Sequence, residues 1–168
     1  VQAEANDFML DEKFQKGISK LAQFDLTYDI LVFPSQLEAA IELVNKFPNQ
    51  KFIIDHIANP YIKKGEIKDW KRKITELAKA TNVYCKVSGM VTEADLNSWK
   101  SSDFKPYLDV VFKAFGVNRT LYGSDWPVCL IGAKYEKQLC LVKDYIEEFL
   151  EEDKARIMGG NAIAFYNL

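Results

Sequence analysis

Apolar positions along this chain follow two alternating patterns. Short runs of apolar and β-branched residues, each stopped by Pro, Gly or Asn, alternate with longer stretches in which apolar side chains recur at helical spacing. The first pattern predicts strands covered on both faces, the second amphipathic helices. Strands are predicted over residues 26–33, 51–56, 82–89 and 119–122, with a strand tail at Val1-Gln2-Ala3-Glu4 in front. Pro34, the Ala58-Asn59-Pro60 run, Gly89 and Gly123 end the four full strands.

Between them lie the helical stretches. Asp7 or Asp11 opens the first, with Phe14, Ile18, Leu21 and Ala22 on one face. Ser35 is positioned to cap the second, whose stripe is Leu37, Ala40, Ile41 and Val44. A third covers about 67–80 through Trp70, Ile74, Leu77 and Ala78, and Thr92 is a candidate cap for a short helix holding Leu96 and Trp99. A further helix over about 104–115 buries Tyr107, Leu108, Val111 and Phe112 and ends at Gly116. The remainder reads as helix over 135–149, 153–158 and 161–165, with Gly159-Gly160 as a break and Asn161 capping the last segment. Strand and helix alternate four times, which is the signature of parallel βα units.

Composition narrows the class. The chain has 168 residues, 48% hydrophobic and 27% charged, within the range of an ordinary globular domain with a sizeable core. A net charge of −2 offers no attraction to nucleic acid or anionic membrane, and no apolar run is long enough to span a bilayer. Cys85, Cys129 and Cys140 are odd in number and widely spaced, which favours a reducing, cytoplasmic setting over a disulfide framework or zinc knuckle. The opening at Val1 falls in mid-pattern, and truncation upstream is expected. Lys63, Lys64, Lys68, Lys71, Arg72 and Lys73 are interleaved with Glu66 and Asp69, a solvated helix face rather than an anion site.

Candidate chemistry gathers at predicted strand ends. His56, the single histidine, closes the second full strand, with strand parity on the face of Phe52 and Ile54. Asp55 falls on the opposite face and is expected to hold loop backbone. Asp125, in Gly123-Ser124-Asp125-Trp126-Pro127, follows the last strand. A lone histidine is more often structural, and a strand-end aspartate more often organises a turn. Parallel strands bring both to one rim, where two titratable groups can share a pocket. Lys86, in a buried strand, needs a carboxylate partner or the wet rim, so salt bridge and substrate contact both stay open. Trp126 either walls a pocket or packs. Ser124 lacks the surroundings of a nucleophile elbow. Glu4 is a strand-end carboxylate on the stub, a candidate ligand or base.

Four segments occur in an order that carries a resemblance: Asp55-His56-Ile57-Ala58-Asn59-Pro60, Cys85-Lys86-Val87-Ser88-Gly89, Gly123-Ser124-Asp125-Trp126-Pro127, and Gly160-Asn161-Ala162 through Phe165-Tyr166. Together they resemble the amidohydrolase-related TIM-barrel hydrolases, in the branch of L-fuconolactonase and 2-pyrone-4,6-dicarboxylate lactonase. The resemblance covers residues 1–168 as one partial domain. It implies an α/β fold, the C-terminal half of a (β/α)8 barrel, from the end of strand four through strand eight and the terminal helices. The family's first-strand His-x-His pair has no match, since His56 is the only histidine.

The resemblance implies hydrolysis of a cyclic ester, a lactone of a sugar acid or related carboxylate. Asp125 then acts as general base toward water, and His56 polarises the carbonyl or helps hold a metal. Lys86 and Trp126 line the substrate side. A divalent metal, zinc being the candidate, takes its ligands from His56, Asp125 and Glu4, in a branch that varies in metal use. Two other readings remain: a metal-dependent decarboxylase of the same fold, and a non-catalytic α/β binding module with a ligand over the strand ends. A half barrel with open strand edges is expected to self-associate and to be inactive alone.

Overall fold

The computed structural model describes all of residues 1–168. Four parallel strands form one sheet in the order β1 (Tyr28–Ile30), β2 (Phe52–Ile54), β3 (Val83–Val87) and β4 (Thr120–Tyr122). Helices α1 (Glu12–Leu21), α2 (Leu37–Lys46), α3 (Lys68–Leu77), α4 (Ser101–Phe115), α5 (Tyr135–Tyr145), α6 (Glu151–Ala155) and α7 (Asn161–Tyr166) complete the chain. Strands adjacent in sequence are adjacent and parallel in the sheet, the order that successive βα units of a barrel have.

Register separates two faces. Asp29 pairs with Ile53, Ile53 with Tyr84, and Lys86 with Leu121. Side chains alternate along a strand, so Asp29, Ile53, Tyr84, Lys86 and Leu121 share the inner face. The outer face carries Ile30, Phe52, Ile54, Val83, Cys85 and Val87, all fully buried in one core with Leu37, Leu43, Ile74, Leu77, Phe104 and Val111 of the helices. A smaller cluster of Ile53, Leu121 and Phe165 lies on the inner face, where α7 packs.

The amino ends of the strands are tied by single side chains that donate to loop and helix-end carbonyls. Gln50 Nε2 donates to Leu26 O at 2.8 Å, and Asn82 Nδ2 to Gln50 O at 2.9 Å and Phe47 O at 3.1 Å. The Arg119 guanidinium donates to Ala78, Ala80 and Val83 carbonyls, and Asn161 Nδ2 to Val117 O and Thr120 O. These bonds satisfy carbonyls that helix ends leave orphaned. Asn82→Ala is expected to lower stability by about 1–3 kcal/mol, read from the denaturant midpoint, because partly buried acceptors lose their donor.

Several sequence expectations change in detail. Val1 to Glu4 form a turn, not a strand tail; Gln36, itself buried, donates to Val1 O and Glu4 O at 3.1 Å each, and no neighbouring strand pairs with them. Asp11 rather than Asp7 caps α1, accepting from Lys13 N and Phe14 N. Ser35 caps nothing: Pro34–Gln36 is a 3-10 turn closed by Gln36 Oε1 accepting from Phe33 N at 3.0 Å. The α4 helix starts earlier than predicted, at Ser101, where Asp103 accepts from Lys100 N. Thr92 ends a 3-10 turn over Met90–Thr92, and residues 93–99 form turns instead of a helix. Gly159 and Gly160 do not break the helix; a wide π turn over Arg156–Gly160 carries α6 into α7. Asn161 does not cap α7, because its carboxamide is committed to the carbonyls before and in β4.

Candidate functional site

The carboxyl ends of β2, β3 and β4 bring together residues that are far apart in sequence. After Ile54 the chain does not continue as strand. His56, Ile57, Ala58 and Asn59 take φ values of 52°, 48°, 63° and 44°, a run of left-handed residues with no glycine. Such a backbone costs roughly 1–2 kcal/mol per residue, and for a β-branched isoleucine it is exceptional. Fixed partners hold it: Trp70 Nε1 donates to Ile57 O at 2.8 Å, Asn59 Nδ2 to Val32 O at 3.0 Å, and Ile57 and Ala58 are fully buried. Strand parity therefore does not place His56. The turn swings its ring over the strand ends, where Nδ1 lies 2.7 Å from Ser88 Oγ and Nε2 lies 3.5 Å from Asp125 Oδ1.

Asp125 is also left-handed, with φ 54°. Ser124 Oγ accepts from Trp126 N at 3.2 Å, a turn role in keeping with the absence of a nucleophile elbow. Gln138 of α5, almost fully buried, latches this loop: it accepts from Tyr122 OH at 2.6 Å and donates to Gly123 O at 3.2 Å. Burial pushes the Asp125 carboxyl above the usual aspartate range; the charge of His56 opposes that rise and Asp55 adds to it. Burial and then the charge of Asp125 raise the Glu93 carboxyl in the same way.

Lys86 is held beneath this rim. Its ammonium contacts Asp55 Oδ1 at 2.6 Å and Asp29 Oδ2 at 2.8 Å, and Asp29 Oδ2 also accepts from Tyr166 OH at 2.8 Å. Burial works to lower the Lys86 pKa, but the hydrogen bonds and charges of Asp29 and Asp55 outweigh it and raise the value. Burial first, then the bond to Asp29, lifts the Tyr166 hydroxyl to about 12. Asp55 thus pairs with a side chain on the inner face rather than holding loop backbone. The need of Lys86 for a carboxylate was legible in the sequence, and two supply it.

Trp126 is 64% exposed at the rim. Glu4 stands apart: its carbonyl accepts from Gln36, and no group of three or more His, Cys, Asp or Glu side chains is placed to hold a metal ion. A zinc site takes three or four protein ligands, so the donor set of His56, Asp125 and Glu4 is not assembled within these residues.

Ser88, Gly89, Asp29, Gln138 and Tyr166 are the site neighbours that reading by motif missed as individuals. Asp29 had a signal, since a carboxylate inside an apolar strand needs a cation. Gly89 is required by the site. It sits at φ 63°, and a Cβ there would lie 2.6 Å from His56 Cγ. Gly89→Ala is expected to displace the His56 ring and to lower stability by about 2–4 kcal/mol, combining left-handed strain with overpacking. Thermal melts and the imidazole NMR signals would read both effects.

Parallel βα units with a histidine and an aspartate converging over the carboxyl ends of the strands are the layout of a barrel-type fold, whose pockets lie at that end. The chain belongs to the amidohydrolase family, whose sequence model matches residues 1–168. It is 34% identical over 167 residues to an L-fucono-1,5-lactonase of Burkholderia ambifaria, an alignment covering 97% of this chain and 57% of that protein. The crystal structure of an amidohydrolase from Burkholderia multivorans with bound HEPES superposes with a TM-score of 0.93 at 34% identity, over 99% of this chain and 62% of that one. A second crystal form, with bound zinc, gives a TM-score of 0.92 at 34% identity over the same shares. The fold is accordingly that of the TIM-barrel amidohydrolases, of which this sheet supplies four parallel strands. The chain spans about half the length of the curated relatives it matches, between 45% and 60% of each.

Proposed function

We propose that the protein containing this chain hydrolyses a lactone of a sugar acid. The observation that carries the reading is the convergence of His56 and Asp125, 3.5 Å apart over the strand ends, in a chain 34% identical to an L-fucono-1,5-lactonase. Asp125, ionised, accepts a proton from the attacking water. Burial raises its pKa, which makes it a stronger base than an exposed aspartate. His56 donates a hydrogen bond to the carbonyl oxygen, where negative charge grows as water adds. When the ring opens, the proton held by Asp125 passes to the leaving hydroxyl, which restores the base.

The remaining residues prepare this step. Lys86, committed to Asp29 and Asp55, holds the site's floor; contact with a substrate carboxylate or hydroxyl would loosen one of those pairs. Trp126 covers the bound sugar at the rim. A bound divalent ion would supply Lewis acidity at the carbonyl, but with only His56 and Asp125 converging, no step is assigned to it. We further infer a cytoplasmic enzyme that acts on a small molecule, and self-association through the outer edges of β1 and β4.

The test is hydrolysis of L-fucono-1,5-lactone and of L-rhamnono-lactones by the purified protein, followed through the acid released. Turnover of a sugar lactone well above the buffer rate is expected. Decarboxylation of an aromatic acid with no lactone turnover would replace this reading by the decarboxylase of the same fold.

A further inference from the structure

We propose that Ser88 is a positioning residue that fixes the tautomer of His56, so that the neutral imidazole presents Nε2–H to the reaction centre. Ser88 is fully buried, and His56 Nδ1 at 2.7 Å is its hydroxyl's hydrogen-bond partner. The hydroxyl carries one hydrogen, and a buried donor left unpaired is costly. If Nδ1 held the imidazole hydrogen, it would donate to Ser88 Oγ and leave the hydroxyl hydrogen without an acceptor. If Nδ1 is bare, Oγ–H donates to it and both groups are satisfied. The second arrangement puts the ring hydrogen on Nε2, facing Asp125 Oδ1 at 3.5 Å, where a carboxylate accepts.

Two glycines leave room for this arrangement. Gly89, next to Ser88, has no Cβ, and any Cβ there would meet His56 Cγ, Cβ and Nδ1 at 2.6–2.8 Å. Gly123, just past the end of β4, also runs close to Ser88, since a Cβ on it would lie 3.0 Å from Ser88 Cβ. The consequence for chemistry is a choice between the two roles open to His56. With Nε2 protonated the ring is a hydrogen-bond donor to a carbonyl oxygen. Its Nε2 lone pair becomes available to a metal only if the hydrogen moves to Nδ1 and strands the Ser88 hydroxyl. This catalytic consequence rests on the lactonase reading; the tautomer itself does not.

Because His56 is the only histidine, a long-range 1H–15N NMR spectrum of the labelled 168-residue chain contains one imidazole. It is recorded at about pH 8.5, where a histidine is ordinarily neutral. A protonated-type Nε2 and a bare-type Nδ1, with the shifts of a single tautomer, are expected. In Ser88→Ala the two nitrogen shifts should move toward each other as tautomers mix. In Asp125→Asn, which leaves Ser88 in place, the single-tautomer pattern should persist. A protonated-type Nδ1 or a free-imidazole mixture in the wild-type chain overturns the proposal. Unchanged shifts in Ser88→Ala, or mixing in Asp125→Asn, overturn it as well, since either assigns the tautomer to Asp125. Loss of lactone turnover with the tautomer intact would instead count against the lactonase reading alone.

Discussion

Asp125→Asn is expected to lower lactone turnover by about 100-fold or more, the usual worth of a general base, while leaving the fold intact. The substitution is nearly isosteric and keeps an acceptor oxygen toward His56 Nε2, 3.5 Å away in the parent. What it removes is the capacity to take a proton from water. Its effect on stability runs in the less familiar direction. Burial raises the Asp125 pKa above its unfolded value, so the folded chain binds more protons between the two values. The group therefore favours folding at low pH, and that contribution is lost as pH rises through the folded-state pKa. Above the folded-state pKa the ionised, partly buried carboxylate is a cost that asparagine does not carry. The variant should melt no lower than the parent near neutrality and should lose any advantage as the pH falls. In the active parent, the acid limb of the kcat/KM profile should lie above the ordinary aspartate range. Near-normal turnover in Asp125→Asn would remove the aspartate from its role, and a large drop in melting temperature at neutral pH would make it a structural residue.

Lys86→Met carries the other large expected effect, on stability. The ammonium contacts two carboxylates, Asp29 and Asp55, whose side chains are 36% and 15% exposed. Removing one member of a buried ion pair costs about 3–5 kcal/mol, because the partner charge is left behind. Asp29 is partly wet and keeps its bond from Tyr166 OH, so the lower end, about 3 kcal/mol, is expected from chemical denaturation. Lys86→Met combined with Asp55→Asn should recover a large part of the loss, since the stranded charge goes with it. A single variant as stable as the parent would show that the ammonium is free to meet substrate instead.

These two residues also show what could be read without a structure and what could not. The alternation of period-two and helical patterns was enough for four parallel βα units, and the apolar runs named the strands because each is buried on its outer face by helices. Strand ends were legible for Asp125, whose Gly and Pro neighbours mark the loop. His56 was legible as a strand-end residue but not in its direction. Parity assumes an extended backbone, and four successive left-handed residues replace it, held by Trp70 and Asn59 from elsewhere in the chain. The strand tail at residues 1–4 was misread for a related reason: whether a short polar segment becomes a strand depends on a partner strand, and here Gln36 takes its carbonyls instead.

The sequence by itself determined the layer order, the family and the two residues at the rim, because each depends on local pattern or on motifs carried within a few positions. Only the tertiary structure decided which groups meet: Lys86 with Asp29 and Asp55, His56 with Ser88 on one nitrogen and Asp125 on the other, and Glu4 with none of them. Those pairings join positions separated by 31 residues (Lys86 and Asp55), by 32 (His56 and Ser88) or by more. They follow from strand register and from loop backbones held at costly angles by distant side chains, neither of which hydrophobic period encodes.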